Sequence, residues 1–149
     1  MSKIDELDFK ILRELQKDAK QGHRAVANKV KVAEGTVYNR LNKLRAMGVI
    51  KGLILDIDYS KLGIDLTAII GIVVEGKNLA NIEKEIAIKS NVSAVYDVTG
   101  EYDAIIVAKF KDRVELSDFI KHLLLISNIR RTHTMIVLNT LKEEHSIMI

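Results

Sequence analysis

Between Arg24 and Ile50 the apolar residues are spaced in a way that few backbone arrangements satisfy. Val26, Ala27 and Val30 form one group, Val32 stands alone, and Val37, Leu41 and Leu44 form another. Within each group the spacing is helical, and only a few residues separate the groups. The pattern predicts two short helices joined by a tight turn and packed along a shared apolar seam, the helix-turn-helix arrangement. The outward face of the second helix then carries Thr36, Tyr38, Asn39, Arg40, Asn42 and Lys43. These side chains can hydrogen-bond base edges or pair with phosphates, and no carboxylate stands among them; Arg40 could instead anchor a phosphate or a neighbouring helix. The same pattern also fits the solvated face of an ordinary helical hairpin.

Charge separates the two readings. Residues 1–52 hold 12 Lys/Arg against 6 Asp/Glu, whereas residues 53–149 hold 11 against 14, so the overall charge of +3 conceals a basic first third and a mildly acidic remainder. A basic segment coinciding with a helix-turn-helix pattern points to a polyanionic partner, double-stranded DNA. The absence of cysteine excludes disulfides and thiolate metal sites. The four histidines, His23, His122, His133 and His145, lack the spacing of a metal site on one helix, so neither a metal nor another cofactor is expected. No apolar run reaches the ~18–20 residues of a membrane span, and the N-terminal segment MSKIDELDFKILREL is charged and amphipathic rather than signal-like. A soluble cytoplasmic protein with no membrane association is the expectation.

Three helices precede a change of pattern. The first is expected near Asp5, burying Leu7, Ile11, Leu12 and Leu15, with Asp5 and Glu6 favoured at the positive end of the helix dipole. The second is expected from His23 or Arg24 and the third from Glu34, with Gly48 as its stop. Residues 49–58 alternate imperfectly and read as a strand or short wing hairpin, and 59–65 as a connector. From residue 66 the order becomes βαββαβ. LTAIIGIVVE is a strand, and NLANIEKEIAIKS a helix burying Leu79, Ile82, Ile86 and Ile88. VSAVYDVTG and YDAIIVAKF are strands. VELSDFIKHLLLIS is a helix burying Leu116, Phe119, Ile120, Leu123 and Leu124, and IRRTHTMIVLNTLKE is a closing strand. The fold class is therefore α+β: a winged helix-turn-helix over 1–52, a β connector over 53–65 and a ferredoxin-like βαββαβ domain over 66–149. Strands apolar on both faces (Ile69 to Val74, Ile105 to Val107) leave one sheet face needing a partner, so a homodimer is expected.

Together, LDFKILRELQKDAK, TVYNRLNKLRAMGVIKG, DIDYSKLG, TGEYDAII and THTMIVLNTLKE, in this order and spacing, make the whole chain resemble the Lrp/AsnC, or feast/famine, transcription regulators. The resemblance implies sequence-specific DNA binding, an amino-acid effector, and dimers that assemble further, often to octamers. Two positions depart from the family pattern. Ala33 occupies the helix-capping site usually held by Ser or Thr, a loss worth ~1 kcal/mol that Glu34 or Thr36 is placed to compensate, and Lys31 lies where the turn often has glycine.

For the effector two groups are candidates. Thr99, Gly100, Glu101, Tyr102 and Asp103 form a turn between two strands, which hairpin geometry alone also explains. By resemblance it borders the effector pocket, with backbone N–H groups and the Asp103 carboxylate exposed to a ligand. Asp118 with Thr132 and Thr134, the threonines sharing one strand face, could receive an ammonium group, or are an exposed helix carboxylate and two ordinary strand residues. No phosphate-cradling glycine loop or nucleophile elbow occurs, and an enzymatic βαββαβ module would have no use for the basic helix-turn-helix.

Overall fold

The computed structural model describes residues 3–76, 78–144 and 147–149. His145 lies outside them. The chain forms two compact units, Met1–Asp56 with Glu143–Ile149, and Ile57–Lys142.

The first unit holds helices α1 (Glu6–Lys17), α2 (His23–Val30) and α3 (Glu34–Ala46). Asp5 caps α1 by accepting from the backbone N–H groups of Leu7 and Asp8, while the Asp8 side chain accepts from the Asp5 N–H. This reciprocal capping box satisfies donors that the helix start leaves unpaired. Val26, Ala27, Val37 and Leu41 close over Ile11, and Leu7, Leu15, Val30, Val32 and Ile50 seal the edges. Each such side chain contributes about 1.5–3 kcal/mol on full burial. The turn between α2 and α3 needs a left-handed residue, and Lys31 supplies it at φ 59°. Ala33 is the α3 cap and makes no side-chain hydrogen bond; neither Glu34 nor Thr36 caps in its place. Gly48, at φ 71°, ends α3 where the sequence suggests. In the tail, the Arg13 Nε–H donates to the Ile149 carbonyl at 2.6 Å and Gln16 donates to that of Ile147 at 2.7 Å. Ile147 and Ile149 are thus bonded to α1.

The expected strand over 49–58 does not form: the segment has no ladder, and Leu53, Ile54 and Leu55 are strongly exposed. A strand exists only through inter-strand hydrogen bonds, and among the described residues the chain supplies it no neighbour. A short 3-10 turn, Tyr59–Leu62, follows, capped by the Asp58 side chain and ended by Gly63.

The second unit is βαββαβ, with β1 (Leu66–Val74), α4 (Leu79–Ala87), β2 (Val92–Asp97), β3 (Ala104–Phe110), α5 (Arg113–Leu125) and β4 (Ile129–Ile136). The sheet is antiparallel in the order β2-β3-β1-β4. Both helices cover one face, over a core of Ala68, Ile70, Ile72, Ala104, Ile106, Ala108 and Phe110, closed by Ile82, Ile86, Leu116, Phe119 and Leu123. Strand alternation sends Ile69, Val73, Ile105 and Val107 to the opposite face, where they are half-buried. Only these alternate residues belong to the uncovered face; Ile70, Ile72 and Ile106 lie under the helices. Ile88 and Leu124, expected inside, are exposed, since Ile88 stands past the last residue of α4 and Leu124 is turned away from the buried α5 face.

Candidate nucleic-acid interface and ligand turn

Helix α3 buries Val37, Leu41 and Leu44, which leaves Gly35, Tyr38, Asn39, Asn42 and Arg45 as a continuous exposed stripe on its far side. Tyr38 is held by ring contact with His23 at 5.7 Å, and Arg45 Nη1 donates to the Asn42 side-chain Oδ1 at 3.4 Å. Gly35 has no neighbour within 4 Å of where a side chain would begin, so backbone is open to close approach there. Arg45 is absent from the sequence-based set, although it follows Asn42 at i+3 on the same helical face. Thr36 is half-buried beside this stripe.

Arg40 and Lys43 are not on it. The Arg40 Nη1 group donates to both Asp5 and Asp8, and Lys43 Nζ donates to Asp8 Oδ2 at 2.8 Å and to the Lys3 carbonyl at 2.9 Å. The expectation of an outward face free of carboxylates is corrected for Lys43, to which α1 brings Asp8; of the two roles the sequence left open to Arg40, the structure shows it tied to a neighbouring helix through Asp5 and Asp8. Asp8 is fully buried. Burial pushes its carboxyl pKa up, but hydrogen bonds from Lys43 and from the Asp5 N–H outweigh that and hold it below its ordinary value. The Arg40 hydrogen bond does the same for Asp5, and Asp5 in turn raises the Arg40 pKa. Apolar periodicity cannot reveal a buried Asp8. The Asp5-x-x-Asp8 capping spacing is the signal that could have found it.

In the second unit, Thr99 and Gly100 are exposed, with Gly100 at φ 127°. Asp103 is built into the sheet: its N–H donates to the Ile72 carbonyl at 2.9 Å, and its Oδ2 accepts from the Val74 N–H at 2.7 Å, next to the irregularity in β1. One of its two oxygens is thus engaged by backbone. Tyr102 lies across the uncovered sheet face, its ring over Gly71 and 5.8 Å from that of His133. Glu101 pairs with Arg131 at 3.3 Å, and Arg131, Arg130 and Val73 line a cleft of about 310 Å³. Thr132 and Thr134 pair with Ile72 and Ile70 and so share the helix-covered side; Ile72 links Thr132 and the Asp103 turn at one end of the sheet. Asp118 lies on the exposed side of α5, bonded to Lys121 at 3.2 Å. Among the described residues no three His, Cys, Asp or Glu side chains converge as a metal site, and no helix is long and apolar enough to cross a membrane.

A helix-turn-helix with an exposed polar face on α3, followed by a helix-backed antiparallel sheet, is the architecture of a DNA-binding transcription regulator, and the family matches bear that class out. Residues 4–51 match the model of winged helix-turn-helix DNA-binding domains, and residues 67–147 match that of the Lrp/AsnC ligand binding domain. The chain belongs to the Lrp/AsnC family. An uncharacterised helix-turn-helix-type transcriptional regulator of Pyrococcus furiosus is 47% identical over 141 residues, covering 95% of each chain. The structure of Escherichia coli AsnC superposes with a TM-score of 0.89 at 27% identity, over 99% of both chains. A Neisseria meningitidis regulator in complex with L-Met gives 0.87 at 22% identity, over 97% of this chain and 96% of that one, a likeness of fold. These matches are to transcription regulators, not enzymes.

Proposed function

We propose that the protein reads operator DNA as a homodimer, each α3 entering the major groove with Tyr38, Asn39, Asn42 and Arg45 toward base edges and phosphates. The observation that carries this reading is the exposed stripe opposite Val37, Leu41 and Leu44, continuous and free of ion-pair partners from α1. Two such helices engage half-sites ~10 bp apart or a multiple of that. Asn39 is the leading base-reading residue, since its amide both donates and accepts toward one adenine. Replacing it by Ala is expected to cost about 1–3 kcal/mol on a duplex selected from a random pool by the wild-type protein. The salt slope should stay unchanged. Fluorescence anisotropy across a salt series measures both; unchanged affinity and sequence preference would remove Asn39.

The same reading gives the second unit two tasks. Its uncovered sheet face forms the dimer, and dimers associate further, with the octamer as the family's common form. The turn of Thr99, Gly100, Tyr102 and Asp103 in one subunit, facing the Thr132–Thr134 strand of another, takes a small amino acid. Membership of the Lrp/AsnC ligand binding domain family supports an effector, and the L-Met complex of the Neisseria regulator supports an amino acid as its class. Arg130 and Arg131 suit the ligand carboxylate, and the second Asp103 oxygen suits its ammonium group, with Asp118 a weaker candidate because Lys121 already pairs with it.

A further inference from the structure

Two of the three cations on α3 are taken up by α1. Arg40, with 29% of its side chain exposed, and Lys43, with 21%, end on Asp5 and on Asp8, which has no exposure at all. The carboxylates cannot follow the cations outward. Asp5 Oδ1 also caps α1 through Leu7 and Asp8 N–H, and Asp8 Oδ2 also accepts from the Asp5 N–H, so moving either one uncaps the helix. Sequence-independent DNA affinity comes from cations meeting phosphates, each steepening the salt dependence by ~0.9 in log K against log salt. Cations held by Asp8, which is buried, and by Asp5, which is 47% exposed but tied into the α1 cap, are withheld from it.

We propose that Asp5 and Asp8 are specificity-determining residues: they withhold Arg40 and Lys43 from the phosphate backbone and fix the rotation of α3, so that binding depends on the Gly35–Arg45 stripe. Arg40 and Lys43 are then positioning residues. The inference rests on the reading of α3 as the recognition helix and adds that discrimination is set from α1. A buried ion pair by itself adds little stability. What this one does is lower the gain from binding wrong sequences, leaving the right sequence to be chosen by base contacts.

The test is a salt titration of binding to two duplexes, one selected from a random pool by the wild-type protein and one with the same bases scrambled. Asp8→Asn should tighten binding to the scrambled duplex, steepen its slope by about 1–2, and lower the selected-to-scrambled ratio about tenfold or more. Lys43→Met should leave both slopes unchanged. Asp5→Asn keeps a capping side chain and removes the nearer of the two carboxylates that hold Arg40, leaving Asp8 at 3.3 Å, so it carries the test through a smaller steepening, of at most ~0.9, if Asp8→Asn fails to fold. A slope that falls by ~0.9 in Lys43→Met makes Lys43 a phosphate contact and overturns the proposal. An unchanged scrambled-duplex slope in both aspartate variants overturns it as well. Asn39→Ala, run alongside, reports the α3 reading separately: if it does not weaken the selected duplex, that reading fails whatever the slopes show.

Discussion

Glu83 on α4 has its Oε1 sealed from solvent with no hydrogen-bond partner among the described residues. Burial raises its pKa above the ordinary 4.5, and the charge of Asp97 adds to the rise. The sign follows from linkage. Between the ordinary value and the raised one, the folded state holds a proton that the unfolded state has lost, so stability falls as pH rises through that window. Glu83→Gln removes the penalty. The variant should match the wild type below pH 4.5 and exceed it at pH 7, because the amide has no charge to desolvate or to be repelled by Asp97. Urea melts at the two pH values measure this, and equal stability at pH 7 would show that the carboxylate is solvated after all. Single residues of this kind are what the sequence conceals. Asp8 sits in the apolar face of α1, where spacing calls for a hydrophobe, and its partners are 32 and 35 residues away. Lys31 and Ala33 were legible, because a turn that needs a left-handed residue and a helix start that needs a cap are local demands.

Elements were legible where their own residues decide them. Periodicity and end signals place the starts of all five helices within a residue or two, although α4 ends at Ala87 rather than at the expected Ser90, and the βαββαβ order holds. Residues 49–58 show the opposite case, since a strand depends on a neighbour that sequence spacing does not name. The contact of the ligand turn with the sheet belongs here too. Gly71 in β1 and Tyr102 after the turn are 31 positions apart, and the ring fills the space a side chain at residue 71 would need: a Cβ there would fall 2.6 Å from Tyr102 Cδ1. Gly71→Ala must therefore push Tyr102 off the sheet and away from His133. A thermal-shift screen of the twenty amino acids tests the consequence. A ligand at ~100 times its dissociation constant adds about 2.7 kcal/mol to the wild type. Gly71→Ala should lose at least half of that shift while keeping its helical signal. A full shift in the variant would detach Tyr102 from the ligand site, and no shift in the wild type with any amino acid would remove the effector reading.

At the scale of the molecule, the second unit has one sheet face under two helices and one under none. The register puts Ile69, Gly71 and Val73 beside Ile105 and Val107, with Tyr96 and Ala94 on one flank and His133 and Met135 on the other. Tyr102 shields only the centre of this face. Two copies of such a surface can meet about a two-fold axis, each residue finding its counterpart's neighbours, and a closed pair leaves no further apolar face to propagate. Binding by paired half-sites asks for the same symmetry. If the dimer is obligate, folding and association are one equilibrium, and the melting temperature must rise with protein concentration. Val107→Lys places a charge at the middle of the contact, where it has no partner and loses its water, at a cost of several kcal/mol per pair. The wild type should sediment at twice 16.8 kDa or more at micromolar concentration, with a melting temperature that climbs over a hundredfold dilution series. Val107→Lys should shift toward the monomer and lose operator binding together with the concentration dependence, even though α3 is untouched. A folded wild-type monomer with a concentration-independent melt would place the dimer elsewhere or nowhere, and would require each α3 to recognise DNA alone.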